Sequence, residues 1–179
     1  MILSDSEILQ QMKRGNIVIR PFHRKHLGSN SYDVHLDKWL GMYKEEILDA
    51  KTHNRVRYFK ISKEGLTLVP SKLYLGVTEE YTETHKHVPF LEGKSSIGRL
   101  GIDIHATAGK GDVGFCNYWT MEISVRQPVR IYAGMPIGQL IYFEIKGAVA
   151  VPYGKKKSAK YIKPTSKPVE SMMWKNFGK

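Results

Sequence analysis

Cysteine is nearly absent from the sequence, since Cys116 is the single cysteine among 179 residues. One cysteine excludes an intrachain disulfide framework, so we expect a protein of a reducing, cytoplasmic compartment. The sequence also lacks an apolar run of about 18 residues, which excludes a membrane-spanning helix. Its N-terminal segment, MILSDSEILQ, is polar and acidic rather than basic and then apolar, so we expect no signal sequence there.

Several catalytic and metal-binding motifs are missing as well. There is no CxxC pair and no HExxH motif, so we expect no zinc site. The sequence has no GxSxG motif around a nucleophile, no Walker-type phosphate loop and no GxGxxG after a strand, and Cys116 has no histidine at a recognisable spacing. His85 and His87 could share one face of a strand, but we interpret them as solvated polar side chains rather than metal ligands.

Positive charge is abundant, and it is concentrated at the C-terminus. The net charge is +11, and residues 155–179 contain eight lysines and one glutamate. Three interpretations of this tail are open: a contact with nucleic acid, a solvated terminus, or a segment that orders over an anionic ligand. We therefore divide the chain into a body, residues 1–154, and a basic tail, residues 155–179.

One helix is indicated near the N-terminus. The segment SDSE at 4–7 is typical of a capping box, in which Ser4 accepts a hydrogen bond from the Glu7 amide and Glu7 reaches back. Apolar residues follow at helical spacing, and Gly15 favours termination. The pattern predicts a helix over residues 5–14.

From Ile17 onward, apolar and polar residues alternate with the two-residue period of β-strands. The segments are rich in β-branched and aromatic residues and are separated by Gly, Pro, Asn and Asp, which predicts about ten short strands. They include FLEGKSSIGR at 90–99 and IDIHATA at 102–108, whereas residues 49–57 are expected to form an exposed loop or hairpin tip. Many short strands without intervening helices predict a mainly β body that is closed or sandwiched.

A dense polar cluster lies in the middle of the chain, where Lys94, Ser95, Ser96 and Arg99 surround Gly98. A lysine, two hydroxyls, exposed backbone amides and a guanidinium together are typical of a loop that binds oligophosphate. A helix N-terminus or a turn with solvent-facing Lys and Arg explains the same pattern. The residues alone leave both interpretations open.

Five blocks in a fixed order resemble the dCTP deaminase family, the zinc-free deaminase branch of the trimeric dUTPase superfamily. The blocks are LEGKSSIGRLGIDIHATAG, then DVGF from Asp112, then WTMEIS, then AGMPIGQLIYFE, then PYG followed by AKY. Weaker similarity extends over the N-terminal helix and SNSYDVHL. The resemblance therefore covers most of the chain, and an ordered set of blocks is more specific than any single motif.

The resemblance implies a distorted β-barrel or jelly roll of the dUTPase-like type, with the short N-terminal helix, assembled as a homotrimer whose sites lie between subunits. It implies that residues 94–99 grip the triphosphate, that Asp112 receives the deoxyribose 3′-hydroxyl, and that residues 120–122 read the cytosine edge. The substrate-binding residues implied in this way are Lys94, Ser95, Ser96, Ile97, Gly98, Arg99, Asp112, Thr120, Met121, Glu122, Tyr153 and Lys160.

The tail acquires a specific role from the resemblance, because Tyr153 and Lys160 match phosphate-contacting residues of a segment that closes over bound nucleotide. The chain also departs from the family pattern. Val113 replaces the Pro that normally stiffens the turn after Asp112, and Lys110 stands where many relatives have an apolar residue or Arg. Pro164 stands where relatives use a nucleotide-contacting Gln, so we expect a weaker or differently held lid.

The resemblance implies hydrolytic deamination without zinc. Glu122 would move protons among the attacking water, N3 and the departing amine. Ser95 and the Ala108 carbonyl would hold the water, and Arg99 would orient Glu122. Mg²⁺ is expected only as part of the nucleotide triphosphate complex, since it prefers phosphate and water oxygens.

Three functions follow as hypotheses. The main one is the deamination of dCTP to dUTP and ammonia, which supplies the precursor of dUMP. The alternative adds pyrophosphate release in the same site and gives dUMP. A less favoured hypothesis is a non-catalytic module that binds nucleotides or nucleic acid. The residues do not separate the first two, and we expect a homotrimer that binds a nucleotide, with no membrane partner and no nucleic acid.

Overall fold

The computed structural model describes residues 1–178, so Lys179, the last residue of the predicted tail, lies outside the described residues. Helix α1 covers Asp5–Lys13, which confirms the predicted N-terminal helix. The Ser4 side chain accepts a hydrogen bond from the Glu7 amide at 3.3 Å, as the capping pattern predicts. The reciprocal contact differs, because the Glu7 carboxylate instead accepts from the Gln11 side chain one turn later.

Residues 1–178 form twelve strands, two short α-helices and three 3₁₀ segments. The strands are β1 Ile17–Arg20, β2 Tyr32–Tyr43, β3 Val56–Lys60, β4 Leu66–Leu68, β5 Tyr74–Thr78, β6 Tyr81–Thr84, β7 His87–Gly93, β8 Ile102–Asp103, β9 Cys116–Asn117, β10 Thr120–Val125, β11 Val129–Ile131 and β12 Pro136–Glu144. The second helix, α2, is Ser95–Gly98, and the 3₁₀ segments are Arg24–His26, Tyr153–Lys155 and Met173–Asn176.

The strands pair into a seven-stranded sheet and two smaller ones. The large sheet has the order β7-β12-β2-β5-β10-β8, with β3 paired to β2. A three-stranded sheet has the order β1-β6-β9, and β11 pairs with β4. Each of these pairings is antiparallel. The chain is thus mainly β and barrel-like, as predicted.

The core is enclosed by the inward faces of these strands. Strand β10 shows how it is built, because Met121, Ile123 and Val125 are buried while the residues between them are partly exposed. Alternation places successive side chains on opposite faces of a sheet. The residues that are polar in the sequence therefore lie on the outer face, and this is where β10 can serve a site.

Three local predictions require correction. The segment 90–99 is a strand only as far as Gly93, and its polar part folds into the one-turn helix α2. The segment 102–108 is a strand only at Ile102–Asp103. His85 and His87 do not have the same environment, since His85 is exposed and His87 is buried at the start of β7. The hairpin tip predicted at 49–57 is confirmed for residues 49–55, which join the paired strands β2 and β3, whereas Val56 and Arg57 already belong to β3.

The tail does not extend into solvent but runs across the outer face of the body. Its first 3₁₀ turn is fixed by the Tyr153 amide, which donates to the Val113 carbonyl at 2.8 Å. Farther along, the Ser171 amide donates to the Tyr43 hydroxyl at 2.9 Å. Of the helices in residues 1–178, none is long and apolar enough to cross a membrane.

Candidate active site

A cavity of about 630 Å³ opens on the outer face of β10. Its floor is the strand, and its walls are the loop after β8, the turn before β9 and the tail. Five of the predicted site residues line it: Ala108, Asp112, Thr120, Glu122 and Tyr153. Lining residues that the sequence analysis did not identify include Tyr43, Phe115, Asn117, Trp119 and Tyr161.

Glu122 faces this cavity because its two neighbours face the core. Met121 and Ile123 are both fully buried, so the alternation of the strand directs the carboxylate to the opposite side. The side chain keeps 34% of its surface exposed. The sequence alone was compatible with a solvated outward-facing glutamate, whereas in the structure this carboxylate lines a cavity that is partly open to solvent.

The Glu122 carboxylate has few protein partners. The Ala106 amide donates to Oε2 at 3.4 Å, and His105 Nδ1 lies 3.8 Å from the same oxygen. His105 Nε2 is 2.6 Å from the Leu91 carbonyl, which can only accept, so Nε2 carries a proton. With only one long hydrogen bond, the carboxylate remains available to a bound molecule.

The backbone of β10 is also available at the cavity. Strand β8 pairs with β10 only at Ser124 and Val125, so among the described residues Thr120–Glu122 has no strand on that edge. On its other edge, β10 pairs with β5, where the Trp119 carbonyl accepts from the Thr78 amide. Hydrogen-bonding directions alternate along a strand, which points the backbone groups of Thr120 and Glu122 away from β5. An amide and a carbonyl on one free edge can bind the edge of a planar heterocycle.

A tight turn presents Asp112 to the cavity. The Phe115 amide donates to the Asp112 carbonyl at 3.0 Å, and Gly114 has φ +88° at the third position of the turn. Glycine is favoured there because other residues rarely adopt this conformation. A Cβ on Gly114 would also approach within 2.7 Å of Pro152 Cβ, where the tail begins. The turn therefore closes with Val113 at the position where the resemblance led us to expect Pro.

Two lysines bind the Asp112 carboxylate. Lys110 Nζ donates to Oδ1 at 2.9 Å and Lys156 Nζ donates to Oδ2 at 3.1 Å. These hydrogen bonds lower the pKa of Asp112 below its usual value, because they favour the charged form. Lys156 belongs to the tail, so this ion pair joins the tail to the cavity wall. The sequence analysis did not identify either contact.

Asn117 is a buried residue that holds the middle of the tail. Its side-chain amide donates to the carbonyls of Tyr161 and Lys163 at 3.1 and 3.2 Å, and its carbonyl accepts from the Thr165 amide at 3.2 Å. Lys163 and Thr165 flank Pro164, where the resemblance led us to expect a Gln. Pro164 itself is exposed. Asn117 therefore holds the backbone on either side of Pro164, and not the proline ring.

The tail makes further contacts beyond Asn117. The Val169 amide donates to the Thr120 hydroxyl at 3.0 Å, next to Glu122. Glu170 accepts from the His53 ring at 3.0 Å, and Lys167 Nζ lies 4.4 Å from the centre of the Trp39 ring. Lys160, a predicted phosphate contact, does not line the main cavity but a shallower depression of about 310 Å³ beside it.

The predicted anion-binding block lies elsewhere on the chain. Ser95, Ser96 and Arg99 are exposed, and none of the residues 94–99 lines the cavity. Ile97 is the exception to this exposure, since it is buried in the core. Lys94 forms an ion pair with Asp33, which fixes its ammonium group near the start of α2.

The spacing along β10 separates Arg99 from Glu122 within one chain. The Arg126 amide donates to the Gly101 carbonyl, so the block adjoins the end of β10 that is remote from Thr120. Four residues of strand correspond to roughly 13 Å between Glu122 and Arg126. In residues 1–178, no hydrogen bond or ion pair joins Arg99 to Glu122. The predicted contact between these two side chains is therefore absent from the single chain.

Comparison with known proteins identifies the family of this arrangement. The family model described as dCTP deaminase-like matches residues 2–145. A Clostridium acetobutylicum protein named dCTP deaminase, dUMP-forming, is 48% identical over 178 residues, which is 99% of each chain. The protein of the same name from Clostridium beijerinckii is 47% identical over 180 residues, 100% of both chains.

A solved structure has the same fold. The crystal structure of 2′-deoxycytidine 5′-triphosphate deaminase from Agrobacterium tumefaciens matches with a TM-score of 0.63 at 19% identity. The match covers 79% of this chain and 47% of that one. At this identity the likeness concerns the barrel-like fold rather than individual site residues.

Proposed function

Because the chain belongs to the dCTP deaminase-like family, we propose that it deaminates dCTP and then releases pyrophosphate, so that dUMP is the product. The names of the full-length relatives favour this alternative over the main prediction from the sequence, which ended at dUTP. The observation that carries the proposal is the Glu122 carboxylate, weakly bonded and half-buried in a cavity beside a free strand edge.

Cytosine recognition is assigned to the free edge of β10. The backbone groups of Thr120 and Glu122 offer both donors and acceptors, which suits the alternating N4, N3 and O2 edge of cytosine. A backbone edge holds its geometry because the opposite side of β10 is paired to β5. Met121 lies between them and supports this edge, because its main chain faces β5 and its side chain is buried in the core.

Glu122 is assigned the proton transfers of deamination. A water attacks C4, a proton is delivered to N3, and the amine leaves as ammonia after it gains a proton. One carboxylate near C4 can accept the first proton of the water and pass it to N3. It can then accept the hydroxyl proton of the tetrahedral intermediate and pass it to the departing amine, which leaves a carbonyl at C4. The sparse bonding of Glu122 supports this role, because a carboxylate held by strong protein donors would be a poorer base.

Asp112 is assigned the deoxyribose 3′-hydroxyl, and the lysines around it favour the polyphosphate. The substrate is the magnesium complex of dCTP, which carries several negative charges. Lys110 and Lys156 place positive charge at one wall of the cavity. In the second reaction another water attacks the α-phosphorus, and pyrophosphate leaves with its magnesium ion.

The site is completed, in this proposal, by a second copy of the chain. Ser95, in α2, and Arg99, directly after it, are exposed, and within residues 1–178 neither of them lines the cavity that contains Glu122. A homotrimer in which α2 of one subunit faces the cavity of the next would bring Arg99 to Glu122 and Ser95 to the attacking water. Closed rings of identical subunits commonly use such heterologous contacts.

The product distribution tests the proposed function. Purified protein is incubated with dCTP and Mg²⁺, and dUTP, dUMP, ammonia and pyrophosphate are resolved over time. We expect ammonia, pyrophosphate and dUMP in equal amounts. Accumulation of dUTP without pyrophosphate would restore the original main prediction, and the absence of ammonia would contradict the deaminase assignment altogether.

A further inference from the structure

Three side chains with metal-binding groups meet on the outer face of the small sheet β1-β6-β9, away from the cavity. Glu83 lies on β6, His85 follows the end of that strand, and Cys116 lies on β9. One ligand atom from each of them lies within 4.8 Å of the other two. None of the three lines the cavity described above.

The strand register explains why these residues meet. Glu83 and Cys116 are directly opposite each other in the antiparallel pair of β6 and β9, so their side chains share one face. His85 is two residues beyond Glu83 and turns to the same side, where its Nε2 lies 2.9 Å from Glu83 Oε2. Cys116 lies 31 positions after His85 in the sequence, which is why no motif revealed the cluster.

We propose that Glu83, His85 and Cys116 form a zinc-binding site, unrelated to the catalytic cavity. A thiolate, an imidazole and a carboxylate together are a ligand set that Zn²⁺ accepts in proteins, whereas Mg²⁺ and Ca²⁺ favour oxygen alone. Zinc bonds of about 2.0–2.3 Å in tetrahedral geometry separate neighbouring ligand atoms by about 3.3–3.6 Å. The ligand atoms lie within 4.8 Å of one another, so shifts of about an ångström would bring them to that spacing.

The backbone that carries the ligands is held in place by paired structure. The His85 amide donates to the Asn16 carbonyl at 2.9 Å, and the Thr84 amide donates to the Phe115 carbonyl at 3.1 Å. Cys116 lies in the same short strand as Asn117, whose side chain points to the opposite face and holds the tail. A metal at Cys116 would therefore tie β9 to β6 at the position from which the tail is anchored.

The ligand set leaves one tetrahedral position open. In the full-length chain this position would be filled by water or by a small anion, since the cluster lies at the protein surface. His85 keeps 42% of its side chain exposed and Glu83 keeps 22%, so an ion can enter without unfolding of the sheet. The thiol proton of Cys116, now directed at the Gly114 carbonyl, would be released when the metal binds.

Zinc titration of the full-length, untagged and chelator-treated protein tests the proposal. We expect calorimetry to show saturation at one Zn²⁺ per chain, and Co²⁺ to give the near-ultraviolet charge-transfer absorption of a cobalt–thiolate bond. Cys116→Ser and His85→Gln should each weaken zinc binding by at least about tenfold, since even indirect partners of metal ligands contribute that much. Deamination in the absence of zinc should be the same in wild type and in both variants.

His53→Gln provides a matched control. His53 is also an exposed histidine that pairs with a glutamate, Glu170, at 3.0 Å, but that pair is not part of the described three-ligand cluster. Its replacement should leave zinc affinity and the cobalt absorption unchanged. Zinc binding that survives Cys116→Ser, or a cobalt complex of the native chain without thiolate absorption, would overturn the proposal. The cobalt spectrum of the native chain decides the matter even if a variant folds poorly.

Discussion

Glu122 and Arg99 belong to the same predicted site, yet the chain gives them opposite surroundings. Glu122 lies in a cavity bounded by a strand, a loop and the tail. Arg99 is exposed at the end of a one-turn helix, beyond the remote end of the same strand. The cavity around Glu122 is sheltered but, among the described residues, has no arginine in its lining. The block with Ser95, Ser96 and Arg99 offers hydroxyls and a guanidinium for phosphate, but it is open to solvent.

The difference indicates that a single chain carries two half-sites that face different directions. An exposed block of serines and arginine gains little from a solvent-facing position, because water screens its charges. If the same block faced the cavity of a second copy of the chain, water around it would be displaced. Its charges would then be screened less, and it would bind an anion more strongly. The predictions below test this division, in order of decreasing effect.

The largest effect is expected for Glu122→Gln. The amide retains the shape of the side chain but cannot accept the proton of the water, so deamination should fall on the order of 10²–10⁴-fold. Nucleotide binding should change by less than about tenfold, because the backbone edge of β10 is unaltered. Turnover is followed by ammonia release. Glu64→Gln, at an exposed glutamate outside the cavity, serves as the control. Near-normal turnover of Glu122→Gln would remove this residue from the mechanism.

Mixing two inactive variants tests whether the half-sites come from different subunits. Glu122→Gln and Arg99→Ala subunits are unfolded, combined in equal amounts and refolded together. If each site takes Glu122 from one subunit and Arg99 from the next, roughly a quarter of the sites in random trimers are intact. Activity should return to about that fraction of wild type. A mixture no more active than its components would place both residues in one subunit's site. Light scattering should report a trimer of the 20.5 kDa chain.

Within the exposed block, Arg99→Ala and Ser95→Ala should lower turnover much more than Ser96→Ala. The proposal gives Arg99 and Ser95 direct roles at Glu122 and the water, and gives Ser96 a phosphate contact only. Loss of one oriented donor to a developing charge costs about 10²–10³-fold in turnover. Steady-state rates with dCTP separate the three variants. Small and equal effects would mean that α2 is only a surface turn.

The tail should matter less than either half-site. Truncation after Gly154 removes the wall formed by Tyr161, Val169 and Ser171, so water enters the cavity, KM rises and turnover falls.

Limited trypsin digestion of the full-length chain gives the structural counterpart. Dissolved protein should be cleaved slowly after Lys160, and more slowly with dCTP and Mg²⁺. Lys163 and Lys167 are not informative sites, because each is followed by a proline that blocks trypsin. Cleavage that is fast and indifferent to nucleotide would rule out a docked lid.

The smallest effect is expected for Lys156→Ala, which removes one of two cations from Asp112. The pKa of Asp112 should rise toward its ordinary value of 3.8, because the charged form loses a donor. The contribution of this carboxylate to tail docking is present above that ordinary value and is lost as the pH falls through the lowered value. The carboxyl chemical shift of Asp112, measured by NMR as the pH is lowered through these values, reports its pKa in the native chain and in Lys156→Ala. Lys155→Ala, whose side chain is exposed, should leave the titration unchanged.

The sequence was most informative where local patterns determine structure. The Ser4 cap and apolar spacing were enough to predict α1, and two-residue alternation was enough to predict the strands and the buried neighbours of Glu122. It was less informative for α2. A helix of four residues spans only about one turn, too short for a repeating helical pattern, so Lys94–Arg99 looked like an extension of β7.

Contacts between distant residues could not be predicted in this way. Asn117 holds backbone groups 44 to 48 residues later in the chain, and no local pattern distinguishes it from an ordinary polar residue. The same applies to Cys116 and His85, which meet only through the pairing of β6 and β9. The family resemblance gave roles to residues 94–99 and 120–122, but their separation within one chain became visible only in three dimensions.

The spacing of the tail's attachments has a consequence for how it opens. The tail is attached to the body at successive points. Asn117 binds residues 161–165, Thr120 binds residue 169, and Tyr43 binds residue 171. When the hydrogen bonds at one attachment break, the remaining attachments keep the detached part of the tail at a high effective concentration near its site, and it rebinds quickly. Peeling from the C-terminal end is then far more frequent than full departure. The time for which a product stays enclosed would therefore reflect all of these contacts together, because a partly detached tail usually rebinds before the Asn117 contacts break.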